Sequence, residues 1–266
     1  AFDLSPEAMK RAGEQGMKPA SSAADACKDA DVIITMLPAG KHVREVYAEA
    51  VLPNARKDAL LIDCSTIDVD SARTVARDAA VEGFRAADAP VSGGVAAAAG
   101  GTLTFMVGCR DQDFPDVEQA LQPMAKAIIH AGSSGAGQAA KICNNMLLGI
   151  SMIGVCEAFA LAERLGLDAQ KFYDISSKAS GQCWSLTSYC PWPGPVPAAP
   201  SNRNYEGGFA AAMMLKDLRL AQEAAEAVNA DTPLGGAAQA LYTELTEKGF
   251  GDRDFSIMLD MLRGRL

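Results

Sequence analysis

The sequence predicts a doubly wound α/β domain over residues 1–132 and an all-α domain over residues 133–266, joined by a long helix. Three observations carry this reading. Short apolar runs alternate with helical patterns through the first half; a Gly/Ser break, "AGSSGAG", begins at Ala131; and no convincing strand follows it.

The strands come first. "DVIITML" from Asp31 and "ALLIDCS" from Ala59 are continuous apolar runs ended by polar residues, the pattern of strands buried on both faces of a parallel sheet. "GFRAADAP", "TLTFMVG" and "AIIHAG" are further strands. Between them lie helix starts: Ser5 before Pro6 and Glu7, Lys41 to Ala50, Asp70 to Ala80 closed by Gly83, and Asp113 with Pro115. The opening "AFDL" reads as a strand end with Asp3 at its carboxyl edge, where a dinucleotide-binding fold places an acid on the ribose hydroxyls. The Gly-rich fingerprint belongs roughly twenty residues earlier. The reading therefore expects a Rossmann-type domain whose first strand, glycine loop and first helix are missing from the sequence.

After the break, a helical pattern runs from Gly137 to Leu165 for about eight turns, ends at Gly166, and leaves Asp168 to cap the next helix. Helical patterns recur at Phe209 to Val228, Pro233 to Lys248 and Phe255 to Leu262. The Pro-rich "PWPGPVPAAPSNRNY" cannot continue a helix and reads as an ordered irregular loop or a plain connector.

Composition narrows the function classes. Hydrophobic residues make up 49% and charged residues 21%, a globular balance, and the net charge of −9 lacks the basic face that displaces counterions from nucleic acid. The seven cysteines are odd in number and none forms CxxC, which suggests a reducing compartment: cytoplasm, or the mitochondrial matrix for a processed enzyme. Only two histidines are present, so no metal site is expected. No apolar stretch reads as long and uniform enough to span a bilayer.

Two motifs carry chemistry on their own terms. In "DAPVSGGVAAAAGGTL", from Asp88, Ser92, Gly93 and Gly94 follow a strand end, where unshielded backbone N–H groups beside a hydroxyl can grip a carboxylate; alone, such a turn is more often a bend. In "GAGQAAKICNN", from Gly135, Lys141 interrupts an apolar helix, and Asn145 four residues on shares its face, so the amide can hold the ammonium. Alone, such a lysine reads as snorkelling to the surface.

Together with "LKDLRLA", "MLPAGKH" and "DCSTID", these segments make the chain resemble the β-hydroxyacid dehydrogenase family from Phe2 onward, the lysine segment fitting its G-x-G-x-x-x-K-x-x-N-N pattern. The resemblance implies NAD as cofactor, with Asp3 on the ribose and Leu37, Pro38, His42, Thr66, Lys216 and Asp217 along the nucleotide. It implies a small hydroxyacid substrate held by Ser92, Gly93, Gly94 and Lys216, with Lys141 as general base and Asn145 beside it. It also implies a homo-oligomer, dimer or tetramer, with no nucleic acid or membrane partner. The stretch Gly181 to Phe209 is similar to the branch oxidising 3-hydroxyisobutyrate to methylmalonate semialdehyde, with Trp184 and Phe209 as apolar walls. By residue type alone, His42 is equally a helix-start residue, Lys216 a solvated helix charge, and the two aromatics core. A tartronate semialdehyde or glyoxylate type of reductase, and a non-catalytic truncated subunit, stay open as alternatives.

Overall fold

The runs at Asp31 and Ala59 form neighbouring parallel strands, β1 (Val32–Thr35) and β2 (Leu60–Asp63), in register from Val32 with Leu60 to Thr35 with Asp63. The structure is a computed structural model describing residues 1–266, which divide into two units, Ala1–Lys141 and Ile142–Leu266. β2 is buried on both faces. Leu61 joins Ile33, Val43 and Val75 in one core, while Leu60 and Ile62 join Phe105, Val117 and Leu121 in another, as the alternation of side chains along a strand requires. β1 departs from the sequence reading. Ile33 on one face is covered, while Val32 and Ile34 on the other are 37% and 45% exposed; an apolar run alone does not tell a strand covered on both faces from one covered on a single face.

β3 (Arg85–Asp88) continues the parallel set beside β2. β4 (Val91–Ser92) and β5 (Leu103–Gly108) follow, with β5 antiparallel to both β3 and β4, and β6 (Ala125–Gly132) parallel to β5. The reversal at β5 has a simple cause: the link from β4 is shorter than the dozen or so residues that a parallel crossover needs.

The helices of this unit are α1 (Pro6–Glu14), α2 (Ala23–Cys27), α3 (Gly40–Val46), α4 (Leu52–Asn54), α5 (Val69–Val81), α6 (Gly94–Ala99) and α7 (Phe114–Leu121). Ser5 caps α1, its Oγ accepting from Ala8 N at 3.3 Å, and Asp68 caps α5 by accepting from Ser71 N at 2.7 Å. α7 starts where Asp113 and Pro115 indicate, although the Asp113 carboxylate is held by Arg110 at 2.6 Å and makes no capping hydrogen bond. One expectation is corrected. "AFDL" is not a strand end: the Asp3 carboxylate accepts from Ser5 N at 2.7 Å, a local turn that competes with strand pairing.

α8 (Ala136–Arg164) is 29 residues long, and the boundary between the units falls within it. The rest of the second unit is helical: α9 (Ala169–Ser176), α10 (Trp184–Thr187), α11 (Ala211–Ala227), α12 (Pro233–Leu245) and α13 (Met258–Leu262). Its core gathers Met152, Phe159, Met214, Leu218, Tyr242 and Phe255. α8 and α11 approach closely at Gly149, where an added Cβ would stand 3.1 Å from Met214 Sδ. The Pro-rich stretch is ordered: Trp192 stacks between Phe159 and the Arg263 guanidinium, and Tyr205 Oη donates to Pro191 O at 3.0 Å. By length and composition alone α8 would be long and apolar enough to cross a membrane, but half of its most apolar window is buried inside the protein, as in a core helix.

Candidate active site

The start of α8 is fixed by two buried side chains. Asp88, at the carboxyl end of β3, is 4% exposed and accepts N–H bonds from Gly135 at 2.6 Å and Gln138 at 2.9 Å. Its carboxylate thereby satisfies free donors of the first turn and meets the positive end of the helix dipole. Gln138 Nε2 donates to Ser65 O at 2.7 Å, and its Oε1 accepts from Ile67 N at 3.1 Å. The glycine spacing follows from this crowding: Gly135 has φ +86°, and a Cβ on Gly137 would lie 2.2 Å from Met106 O. Burial raises Asp88 to about 6 against the pull of the two N–H groups. Lys141 follows Gln138 by three residues, buried at 7% exposure. Sequence reasoning found the lysine and the glycines but missed Asp88 and Gln138 as their support.

Ser92 ends β4 and is half-buried, while Gly93 and Gly94 are exposed with φ of +132° and +68°. Side chains other than hydrogen are strained at both positions, so the turn presents bare backbone beside a hydroxyl.

The cofactor-side residues follow β1 and β2. Leu37 N donates to Ser65 Oγ at 2.7 Å, and Ser65 Oγ donates to Asp63 at 2.7 Å, which ties the Leu37–Pro38 loop to the Cys64–Thr66 loop. Asp63 also accepts from Thr35 Oγ1 at 2.7 Å, and burial raises its carboxyl above the usual range. Pro38 is exposed and Leu37 and Thr66 half-buried, an apolar edge with a hydroxyl beside it. His42, in the first turn of α3, keeps a buried Nδ1 without a hydrogen-bond partner. An unpartnered ring nitrogen, a hydroxyl and apolar loops at the carboxyl ends of parallel strands fit a dinucleotide's ribose and ring surfaces. Asp3 is exposed, and its hydrogen bonds go to Ser5 and Met9.

In the second unit, Asn145 is 2% exposed; its Nδ2 donates to Asp217 on α11, and its Oδ1 accepts from Asn144 Nδ2 at 3.0 Å. Asp217 is 3% exposed. Burial lowers the neighbouring Lys216 ammonium below its ordinary value, and the Asp217 charge opposes the shift. Trp184 is half exposed and stacks on Tyr189 at 4.8 Å, while Phe209 meets Phe255 edge-on at 5.7 Å.

A nucleotide-binding sheet, a buried helix lysine and an all-helical second unit define a class, the nicotinamide-dependent oxidoreductases. A family model for the NAD binding domain of 6-phosphogluconate dehydrogenase matches residues 1–132, and one for the NAD-binding of NADP-dependent 3-hydroxyisobutyrate dehydrogenase matches residues 135–262. The chain belongs to the 3-hydroxyisobutyrate dehydrogenase family, NAD-dependent oxidoreductases acting on CH–OH groups. It is 46% identical over 263 residues to the probable mitochondrial 3-hydroxyisobutyrate dehydrogenase of Dictyostelium discoideum, covering 98% of this chain and 82% of that protein. It is 45% identical to the NAD-dependent L-serine dehydrogenase of Pseudomonas aeruginosa, covering 97% of this chain and 87% of that protein. The solved structure of Mycobacterium tuberculosis 3-hydroxyisobutyrate dehydrogenase with L-serine matches with a TM-score of 0.95 at 46% identity, over 98% of this chain and 89% of that one. These matches do not bear out the expected loss of a first strand and glycine loop.

Proposed function

We propose that the protein oxidises 3-hydroxyisobutyrate to methylmalonate semialdehyde with Lys141 as general base. The observation that carries this is the placement of Lys141: a buried lysine just beyond a helix start fastened by Asp88 and Gln138 to the ends of β3 and β2. Residues 1–132 bind the nucleotide, and residues 133–266 serve the substrate and self-association. Ser92 and the Gly93 and Gly94 backbone hold the substrate carboxylate, which leaves the hydroxyl for Lys141. In its neutral form Lys141 takes the hydroxyl proton, and it returns the proton when the reaction runs backward. NAD, when bound, supplies the acceptor for the hydride lost from the carbinol carbon.

Asn145 positions the lysine end of α8, tied by its amide to Asp217. Lys216 adds a positive charge near substrate and nicotinamide, and Trp184 and Phe209 wall the substrate methyl. Leu37, Pro38, His42, Thr66 and Asp217 follow the nucleotide. Asp3 takes the ribose, where its charge disfavours a 2′-phosphate. Self-association uses the outward face of α8, on which Leu147 and Leu161 are 63% and 59% exposed, with open space above Gly154 and with Leu165, just past the helix end, 75% exposed. All seven cysteines are free thiols, which suits the cytoplasm or the mitochondrial matrix.

A substrate panel tests the reading. With NAD, 3-hydroxyisobutyrate should be oxidised with higher kcat/KM than L-serine, glycerate or 4-hydroxybutyrate, and NADP should serve less well. A preference for serine or for a linear acid would contradict the methyl-wall assignment.

A further inference from the structure

Asp254 is a buried acid of the helical unit whose two carboxylate oxygens are both engaged. It is fully buried, and its carboxylate accepts from Tyr189 Oη at 2.7 Å, Phe209 N at 2.8 Å, Ser256 N at 3.0 Å and Ser256 Oγ at 2.5 Å. The backbone around it is closed in the same place: Phe255 N donates to Phe209 O at 2.8 Å, and Asp254 N donates to Tyr205 O at 2.9 Å. Gly208 completes the arrangement. Its φ is +79°, and an added Cβ would lie 2.2 Å from Asp254 Oδ2 and 2.5 Å from Tyr189 Oη. The second glycine of "EGGF" is therefore the space in which the hydroxyl meets the carboxylate. Burial, reinforced by the Asp254 charge, raises the Tyr189 phenol above its ordinary range, so it remains a donor.

The two arms of this hub end on the two aromatics assigned above to the substrate. One runs from Asp254 through Tyr189 to the stacked ring of Trp184; the other runs from Asp254 to the backbone of Phe209, whose ring meets Phe255. Resting on the reading that Trp184 and Phe209 wall the substrate methyl, we infer that Asp254 and Tyr189 are specificity-positioning residues: they set the two rings against a C2-methyl group and so favour a C2-methyl 3-hydroxyacid over one bearing an ammonium there. They act through the rings and have no part in proton or hydride transfer.

Tyr189→Phe tests this, because it removes one O–H and leaves the ring to stack. Steady-state kinetics are measured for 3-hydroxyisobutyrate and L-serine with NAD, for the wild type, Tyr189→Phe and Gly208→Ala. In Tyr189→Phe, KM for 3-hydroxyisobutyrate should rise about tenfold, the scale of one misfitted methyl contact. Turnover and KM for NAD should stay within about twofold, so the loss is in binding rather than chemistry. The kcat/KM ratio of 3-hydroxyisobutyrate to serine should fall in step, and Gly208→Ala should move it the same way by crowding the bond from outside. An unchanged ratio in both variants, or equal losses on both substrates and on NAD, overturns the inference. A wild type that oxidises neither substrate contradicts the proposed function itself and takes the inference with it, whereas an active wild type with an unmoved ratio contradicts the inference alone.

Discussion

Asn145 illustrates what a single residue can and cannot disclose. Its place four residues after Lys141 identifies a shared helix face. The partner that holds its amide is Asp217, 72 residues further along the chain, and nothing local marks that bond. Removing the amide frees the lysine end of α8 to shift by fractions of an ångström, and misplacement on that scale lowers rates without abolishing chemistry. Asn145→Ala should therefore reduce kcat by roughly tenfold to a hundredfold with KM for NAD unchanged. Wild-type turnover in that variant, measured by NADH absorbance, would make Asn145 a packing residue only. Phe209 was equally ambiguous as an isolated aromatic, since an apolar wall and a core residue have the same composition; its edge contact with Phe255 places it at the margin of the helical core.

At the scale of elements, the strongest constraint is the cap that β3 provides for α8. Its two halves lie 47 and 50 residues apart in sequence, so helix periodicity located α8 while leaving its anchor unread. The cap makes stability depend on pH. Unfolded, Asp88 titrates near its ordinary 3.8; folded, burial holds it at about 6. Between those values the folded chain binds more protons than the unfolded one, so stability is lost as pH rises through the window and is flat on either side. The size is about 3 kcal/mol from the roughly two-unit separation. Asp88→Asn removes this titration and leaves the other raised carboxyls, Asp63 and Asp254, in place. The unfolding free energy of the wild type minus that of Asp88→Asn should thus fall between about pH 4 and pH 6 and then level. A flat or rising difference in denaturant titrations would contradict the buried-acid assignment.

For the whole molecule, the alternation of strands and helices, the break near Ala131 and the helical second half were all legible, because each depends on local pattern. The antiparallel β5, the exposed face of β1 and the Asp254 hub were not, because each depends on which segments meet. The proposed self-association is tested on the whole molecule. Each exposed leucine on the outer face of α8 is worth about 2 kcal/mol when covered, so the wild type should run as a dimer or larger in light scattering, and Leu161→Glu should shift it toward monomer with the helical content kept. A monomeric wild type would assign that face another role. The proposed chemistry turns on Lys141, and steady-state turnover of Lys141→Ala on 3-hydroxyisobutyrate, paired with NAD binding by fluorescence, is its sharpest test. As general base, Lys141 should leave kcat lower by about three orders of magnitude or more when removed, with NAD affinity near that of the wild type. Near-wild-type turnover would contradict it.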